Sequence, residues 1–156
     1  MSMKNGFTKI EVLIFILLIV MVVAMDIVVI WYLSLKNKDI QVLSEIDQIK
    51  SGLEVYLLKN NFYPATSSIV NLNDPYGTEK LCGEGFKKLA DNCVQNILNP
   101  IPNQYLSEGN SYRYKRSDDG QNYQLEFNLI TNFKNLSLTK GKNCATNIQI
   151  ISQPCF

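Results

Sequence analysis

The stretch KNGFTKIEVLIFILLIVMVVAM, residues Lys4 to Met25, decides how this chain is built. Glu11 lies immediately before an uninterrupted apolar run, because no side chain from Val12 to Met25 is polar. A carboxylate at the edge of a membrane-spanning segment is costly unless it is neutralised or paired. The position of Glu11 therefore needs a reason beyond simple anchoring.

The apolar run continues to Leu33 and is interrupted only by Asp26. As an α-helix, these 22 residues would be about 33 Å long, enough to cross the hydrocarbon core of a bilayer. The run is too long for a cleaved secretory signal, and no small-residue cleavage site follows it. Lys4 favours a cytoplasmic N-terminus, although Lys36 and Lys38 weaken that preference. We expect a single-pass inner-membrane protein with its N-terminus inside and its head outside.

The residues around Glu11 resemble the type IV prepilin signature, in which a short basic leader ends in Gly, the mature chain begins with Phe and its fifth residue is Glu. The matching positions here are Gly6, Phe7, Thr8, Ile10 and Glu11. The resemblance implies a leader at 1–6, cleavage between Gly6 and Phe7 by a prepilin peptidase, and N-methylation of Phe7. It also implies that Glu11 pairs with the amine of Phe7 on a neighbouring subunit during filament assembly.

The same resemblance implies the partners and the location. The partners are the prepilin peptidase, an assembly ATPase with its platform protein, other pilin subunits and, before assembly, membrane lipid; no cofactor is implied. The processed chain would then lie in a cell-surface or periplasmic filament. Two residues depart from the pattern, because Lys9 and Asp26 are charged where the family is usually apolar. Asp26 either reaches the outer headgroups or pairs with a neighbour's lysine, and these departures leave a minor or tip subunit as an alternative to a major one.

A second apolar pattern follows the membrane-spanning run. Apolar residues recur every three or four positions, at Ile40, Leu43, Ile46, Ile49, Leu53 and Tyr56. This spacing predicts that they form one face of a helix. The charged residues expected on the other side are Asp39, Glu45, Asp47, Lys50 and Lys59. We predict one helix from Phe7 to about Leu58, with 7–33 in the membrane or filament core and 34–61 as its outer half. Pro64 enforces the stop, and we interpret the pair Tyr63–Pro64, which resembles a family feature, as structural.

The head is predicted to be residues 62–156. Residues 65–103 read as an irregular connection with one short helix at about Gly85–Ala90. The alternation around the turn at Ser117–Asn122 predicts a β-hairpin, and further strands are expected near Asn135–Thr139 and Asn147–Ser152. The predicted fold class is therefore α+β and, by resemblance, type IV pilin-like: a long N-terminal helix packed on a small antiparallel sheet.

The four cysteines lie beyond the apolar run, where an oxidising compartment is expected. We favour disulfides Cys82–Cys93 and Cys144–Cys155, because each closes a short loop, with reduced buried thiols as the alternative. The chain has no histidine, and the cysteine spacing of 11, 51 and 11 does not suit zinc. No metal site is therefore predicted. The second pair resembles the C-terminal disulfide loop of many type IV pilins.

Other candidate chemistry is weaker. Asp118 and Asp119 supply too few oxygens for calcium and read as a turn. The stretch Tyr112–Arg116 mixes aromatic and basic residues as some DNA-binding surfaces do, but strand alternation would separate the two kinds. Lys134, Lys140 and Lys142 read as a solvated loop. DNA is thus a minor candidate partner, and no nucleophile motif or paired-carboxylate site suggests an enzyme.

The sequence predicts a structural subunit of a type IV pilus or pseudopilus. One alternative is a type II secretion or competence pseudopilin that moves cargo or DNA. An alternative of another class is an uncleaved single-pass anchor that presents an extracellular binding domain.

Overall fold

The computed structural model describes residues 9–103 and 111–156. One α-helix, α1, runs from Lys9 to Asn60, so the predicted start at Phe7 lies outside the described residues. The chain divides into two compact units, residues 1–35 and 36–156. Asn61 ends α1 with a left-handed φ of 61°, and its N–H donates to Leu57 O at 2.8 Å. Asparagine tolerates this conformation, which explains why the helix ends here.

Within the second unit, α1 buries one face. The core positions are those that the sequence pattern predicted at Ile46, Ile49, Leu53 and Tyr56, with Val42 added. Ile40 was predicted to be in this face but is 47% exposed. The buried apolar face therefore begins at Val42, two residues later than predicted.

The larger sheet has five antiparallel strands and packs on this helix face. The strands are β1 (Val70–Asn71), β5 (Arg113–Arg116), β6 (Tyr123–Leu129), β7 (Gly141–Thr146) and β8 (Ile150–Ile151), in the spatial order β1-β5-β6-β7-β8. The predicted hairpin is confirmed as β5 and β6, with Tyr114 opposite Leu125. Because β6 lies in the middle, it is hydrogen-bonded on both sides.

A smaller sheet occupies the connection that was predicted to be irregular. Its strands are β2 (Lys80–Cys82), β3 (Gly85–Lys87) and β4 (Asn96–Leu98), in the order β3-β2-β4. The predicted helix at Gly85–Ala90 is wrong. Gly85 has φ +123°, which no helical residue adopts, and the residues after it pair with β2.

Two further expectations near the C-terminus need correction. The strand expected at Asn135–Thr139 is instead a short 3₁₀ helix, Lys134–Leu136, enclosed by a single bridge between Phe133 and Leu138. The strand β7 was not predicted, although it pairs along six residues of β6. The expected strand near Asn147–Ser152 is present but limited to β8.

The core of the second unit lies between α1 and the sheets. Its largest fully buried side chains come from α1, from the strands of both sheets and from the segments between these elements. They are Ile46, Ile49, Leu53, Tyr63, Leu81, Ile101, Tyr112, Tyr114, Tyr123, Leu125, Phe127 and Leu129. At Gly52 the helix approaches β4 so closely that an added Cβ would lie 2.4 Å from Leu98 Cδ1. The architecture is α+β: one long N-terminal helix with antiparallel sheets.

Candidate functional site

The first half of α1 exposes a continuous series of large apolar side chains. Its large apolar side chains from Ile10 to Leu33 are all 47–72% exposed. Contiguous apolar surface of this extent marks a membrane-facing or protein-facing element. By length and composition α1 is also able to cross a membrane.

Three charged side chains accompany this apolar surface. Glu11 lies in the first turn of α1, where a negative charge is favourable beside the positive end of the helix dipole. Lys9 and Asp26 are both exposed. Gly6 and Phe7, the proposed processing positions, lie outside the described residues.

Two carboxylates of α1 are buried, contrary to the prediction that placed them on the solvent side. Asp39 accepts hydrogen bonds from Ile130 N at 2.8 Å and from both Thr131 N and Thr131 Oγ1 at 2.6 Å. Glu45 accepts one from Tyr112 Oη. Burial and this hydrogen bond raise the pKa of Tyr112 well above its ordinary value, so the phenol stays neutral and donates. These acids connect the helix to the residues that directly precede β5 and directly follow β6.

A group of tyrosines joins the end of α1 to the hairpin. The Tyr63 ring packs edge-on against Tyr123 with 4.8 Å between centroids, and its hydroxyl donates to Glu54 Oε1 at 2.7 Å. Tyr114 Oη donates to Pro64 O at 3.0 Å. The pair Tyr63–Pro64 thus has the packing contacts expected of a structural element.

The outer face of the larger sheet carries a charge network on Glu126. Its side chain is almost fully buried and receives Arg113 Nη1 at 2.8 Å and Lys142 Nζ at 3.0 Å. Burial by itself would raise the pKa of Glu126, but the hydrogen bonds and charges of Lys142 and Arg113 outweigh it and lower the pKa. Lys142 therefore belongs to this network and not to a loose basic loop.

The C-terminal segment closes over the same carboxylate. Cys155 N donates to Glu126 Oε2 at 3.2 Å, and the Arg113 guanidinium lies 5.2 Å from the centroid of the Phe156 ring. The disulfide Cys144–Cys155 links this segment to β7, with 5.1 Å between the Cα atoms. Glu126 is thus buried by chain that the disulfide holds in place.

The second disulfide, Cys82–Cys93, joins β2 to the loop before β4, with 5.6 Å between the Cα atoms. Both pairings are those that we favoured from the sequence. Glu84 lies near this disulfide, and the three residues form a cluster of potential metal ligands. Disulfide sulfurs are not thiolates, so the cluster lacks the donors that a metal needs.

The remaining candidates have structural contacts. Asp119 Oδ1 accepts from Ser117 Oγ and from Gln121 N, and these bonds lower the pKa of Asp119 and shape the hairpin turn. Tyr112, directly before β5, and Tyr114, in β5, are fully buried whereas Lys115 is exposed, so Lys115 is separated from the tyrosines as alternation predicts. That separation does not favour base stacking beside a basic groove.

In comparisons with known proteins, no family model, no curated protein and no solved structure matches this chain.

Proposed function

We propose that this chain is a type IV pilin-like structural subunit, made as a membrane-anchored precursor and assembled through α1 into a pilus or pseudopilus. A prepilin peptidase would cut between Gly6 and Phe7 and methylate the new amine. The assembly ATPase and platform protein would then move the subunit from the membrane into the filament.

One observation carries this proposal: Glu11 follows Gly6–Phe7 at the signature spacing and lies in the first turn of a helix whose large apolar side chains are exposed through Leu33. A plain anchor needs the apolar helix but has no need for the glutamate. A filament subunit needs both the apolar helix and the glutamate. Its helix leaves lipid and packs against other helices, and the glutamate then pairs with a positive charge there.

The role of Glu11 follows from the cost of burial. A carboxylate buried in a helical core without a partner costs several kcal/mol, whereas a paired one is tolerated. The free amine of Phe7 on a neighbouring subunit would supply the partner once the leader is removed. The pair would set the register between subunits more than it adds stability.

The head supports a role outside the cytoplasm. All four cysteines are in disulfides, which persist in oxidising compartments. The same assembly chemistry serves an adhesive or motility pilus and a secretion or competence pseudopilus. Neighbouring genes for a secretin, a retraction ATPase or DNA uptake would separate these two uses.

The test is mass spectrometry of the N-terminus in cells carrying the whole assembly system, comparing membranes with sheared surface material. We expect a chain that starts at methylated Phe7 and is present in the sheared fraction or, for a pseudopilus, in isolated periplasmic filaments. A Gly6→Ala variant should keep its leader and stay in the membrane.

The matched control is Ser2→Ala, a leader substitution outside the signature, which should be processed normally. A chain that starts at Met1 or Ser2 in every fraction would contradict the proposal. It would leave an uncleaved anchor as the better interpretation.

A further inference from the structure

The apolar half of α1 carries three charged side chains whose charges do not sum to zero. From Lys9 to Leu35 the charged side chains are Lys9, Glu11 and Asp26, one cation and two anions. Processing before Phe7 would add a second positive charge, the new amine. The processed segment then holds two positive and two negative charges, which is the balance that a closely packed apolar core requires.

We propose that Lys9 of one subunit pairs with Asp26 of a second copy of this chain in the assembled filament. This inference rests on the proposed function, because it needs the helices of several copies packed side by side. With Glu11 assigned to the amine of Phe7, Lys9 and Asp26 are the complementary charges that remain. Both are exposed on α1 and are available to a neighbouring copy.

A single chain cannot make this contact. Lys9 and Asp26 are 17 positions apart in one continuous helix, so about 26 Å separates them along its axis. They also point about 100° apart around that axis. The pairing is therefore between copies, and it joins two different surfaces of the same helix. A contact of this heterologous kind, repeated with one offset, gives an open filament and not a closed dimer.

The proposed pair also differs in register from the pair made by Glu11. For parallel copies, matching Glu11 to the amine of Phe7 needs an axial offset of about 6 Å, whereas matching Asp26 to Lys9 needs about 26 Å. One neighbour cannot satisfy both offsets. Each subunit therefore uses two different neighbours, and the Lys9–Asp26 pair fixes the longer-range one.

Lys36 and Lys38 are the other cations near Asp26 in the sequence. Lys36 already has a contact, because its Nζ lies 5.8 Å from the centroid of the Phe133 ring in the second unit. Lys38 is exposed. Lys9 is the cation that belongs to the apolar segment itself, and Lys38 serves as the comparison in the test.

The first test is a charge-removal cycle in cells carrying the whole assembly system. Filament yield is measured in the sheared or isolated filament fraction for Lys9→Gln, Asp26→Asn and the double variant. Each single variant strands one charge, so we expect its yield to fall by about tenfold or more, whereas the double variant strands none and recovers most of the loss. Combining Asp26→Asn with Lys38→Gln should give no recovery.

The second test is cross-linking of assembled filaments. A chain with both Lys9→Cys and Asp26→Cys has no charge to strand, and its four native cysteines are already in disulfides. Oxidation with copper phenanthroline should give a ladder of covalent oligomers. Each single cysteine variant, and a control that combines Lys9→Cys with Val20→Cys, should give no ladder.

The pairing is wrong if the single variants assemble like the wild type, if the double variant is no better than the singles, or if the Val20 control gives the same ladder. Recovery with Lys38→Gln would assign Asp26 to that lysine and would also overturn it. The N-terminal mass of every variant is measured in parallel. A wild-type chain that is neither cleaved after Gly6 nor found in filaments would show instead that the proposed function is wrong, and the pairing with it.

Discussion

The two halves of α1 have opposite surroundings although they form one continuous helix. From Ile10 to Leu33 every large apolar side chain is at least 47% exposed, whereas from Val42 to Tyr56 the core-facing side chains are at most 4% exposed. The first half is apolar on all sides and the second on one face only. A helix that is apolar all round needs lipid or other helices as its surroundings, and the second half obtains its partner from its own sheet.

The most direct test of the difference between the two halves is to shorten one leucine in each of them. Leu53→Ala removes a fully buried side chain and should lower the free energy of unfolding of the head by about 2–5 kcal/mol. Leu17→Ala, at a position that is 57% exposed, should leave it unchanged. The measurement is chemical denaturation of the full chain in detergent micelles, followed by near-UV circular dichroism. Equal losses in the two variants would contradict the division of the helix into two environments.

A second prediction concerns the acids of the outer half. Asp39→Ala would leave two backbone N–H groups, Ile130 and Thr131, without their acceptor, and should cost about 1–3 kcal/mol. Asp47→Ala is the matched control, because Asp47 lies on the same helix but is exposed. The same denaturation experiment should show less than about 0.5 kcal/mol for the control. A small effect at Asp39 would mean that water replaces the carboxylate.

The smallest expected effect is a pH dependence from Glu126, whose partners Arg113 and Lys142 are partly exposed and screened. Because folding lowers the pKa of Glu126 below its ordinary 4.5, its contribution to stability is present above about pH 4.5 and is lost as the pH falls through the folded pKa. Wild-type protein should therefore lose more stability on acidification than Glu126→Gln.

The control for this profile is Asp118→Asn, at an exposed carboxylate of the adjacent turn. It should keep the wild-type slope of unfolding free energy against pH. A Glu126→Gln profile that coincides with the wild type would show that the network contributes no pH-dependent stability.

Local patterns in the sequence predicted the parts of the fold that depend on local chemistry. Alternation with an Asp-Gly turn identified the hairpin, and the short cysteine loops identified both disulfides. The strand β7 was missed because GKNCAT does not alternate. Asn143 in this strand is buried, and nearby residues satisfy its amide: Nδ2 donates to Thr139 O and to Gly141 O, each at 2.8 Å. A prediction from the alternation of apolar and polar residues assigns a polar residue such as asparagine to the solvent-facing side.

Burial of Asp39 and Glu45 was missed for a related reason. Their partners Tyr112, Ile130 and Thr131 are more than 60 residues away along the chain, so no local pattern reveals them. For the candidate site, the sequence was enough to predict the apolar segment and to identify the three charged residues that accompany it. The proposed pairing of those charges needed the continuity of α1, which gives the spacing between Lys9 and Asp26.

The position of Asp39 has a mechanical consequence. It is the first buried residue of α1, and its carboxylate bonds the two residues that directly follow β6. Tension applied along α1 therefore reaches the sheet at its middle strand, which is held by β5 on one side and β7 on the other. A pull on α1 is therefore passed to a strand that has a hydrogen-bonded neighbour on each side, and not to an edge strand of the sheet.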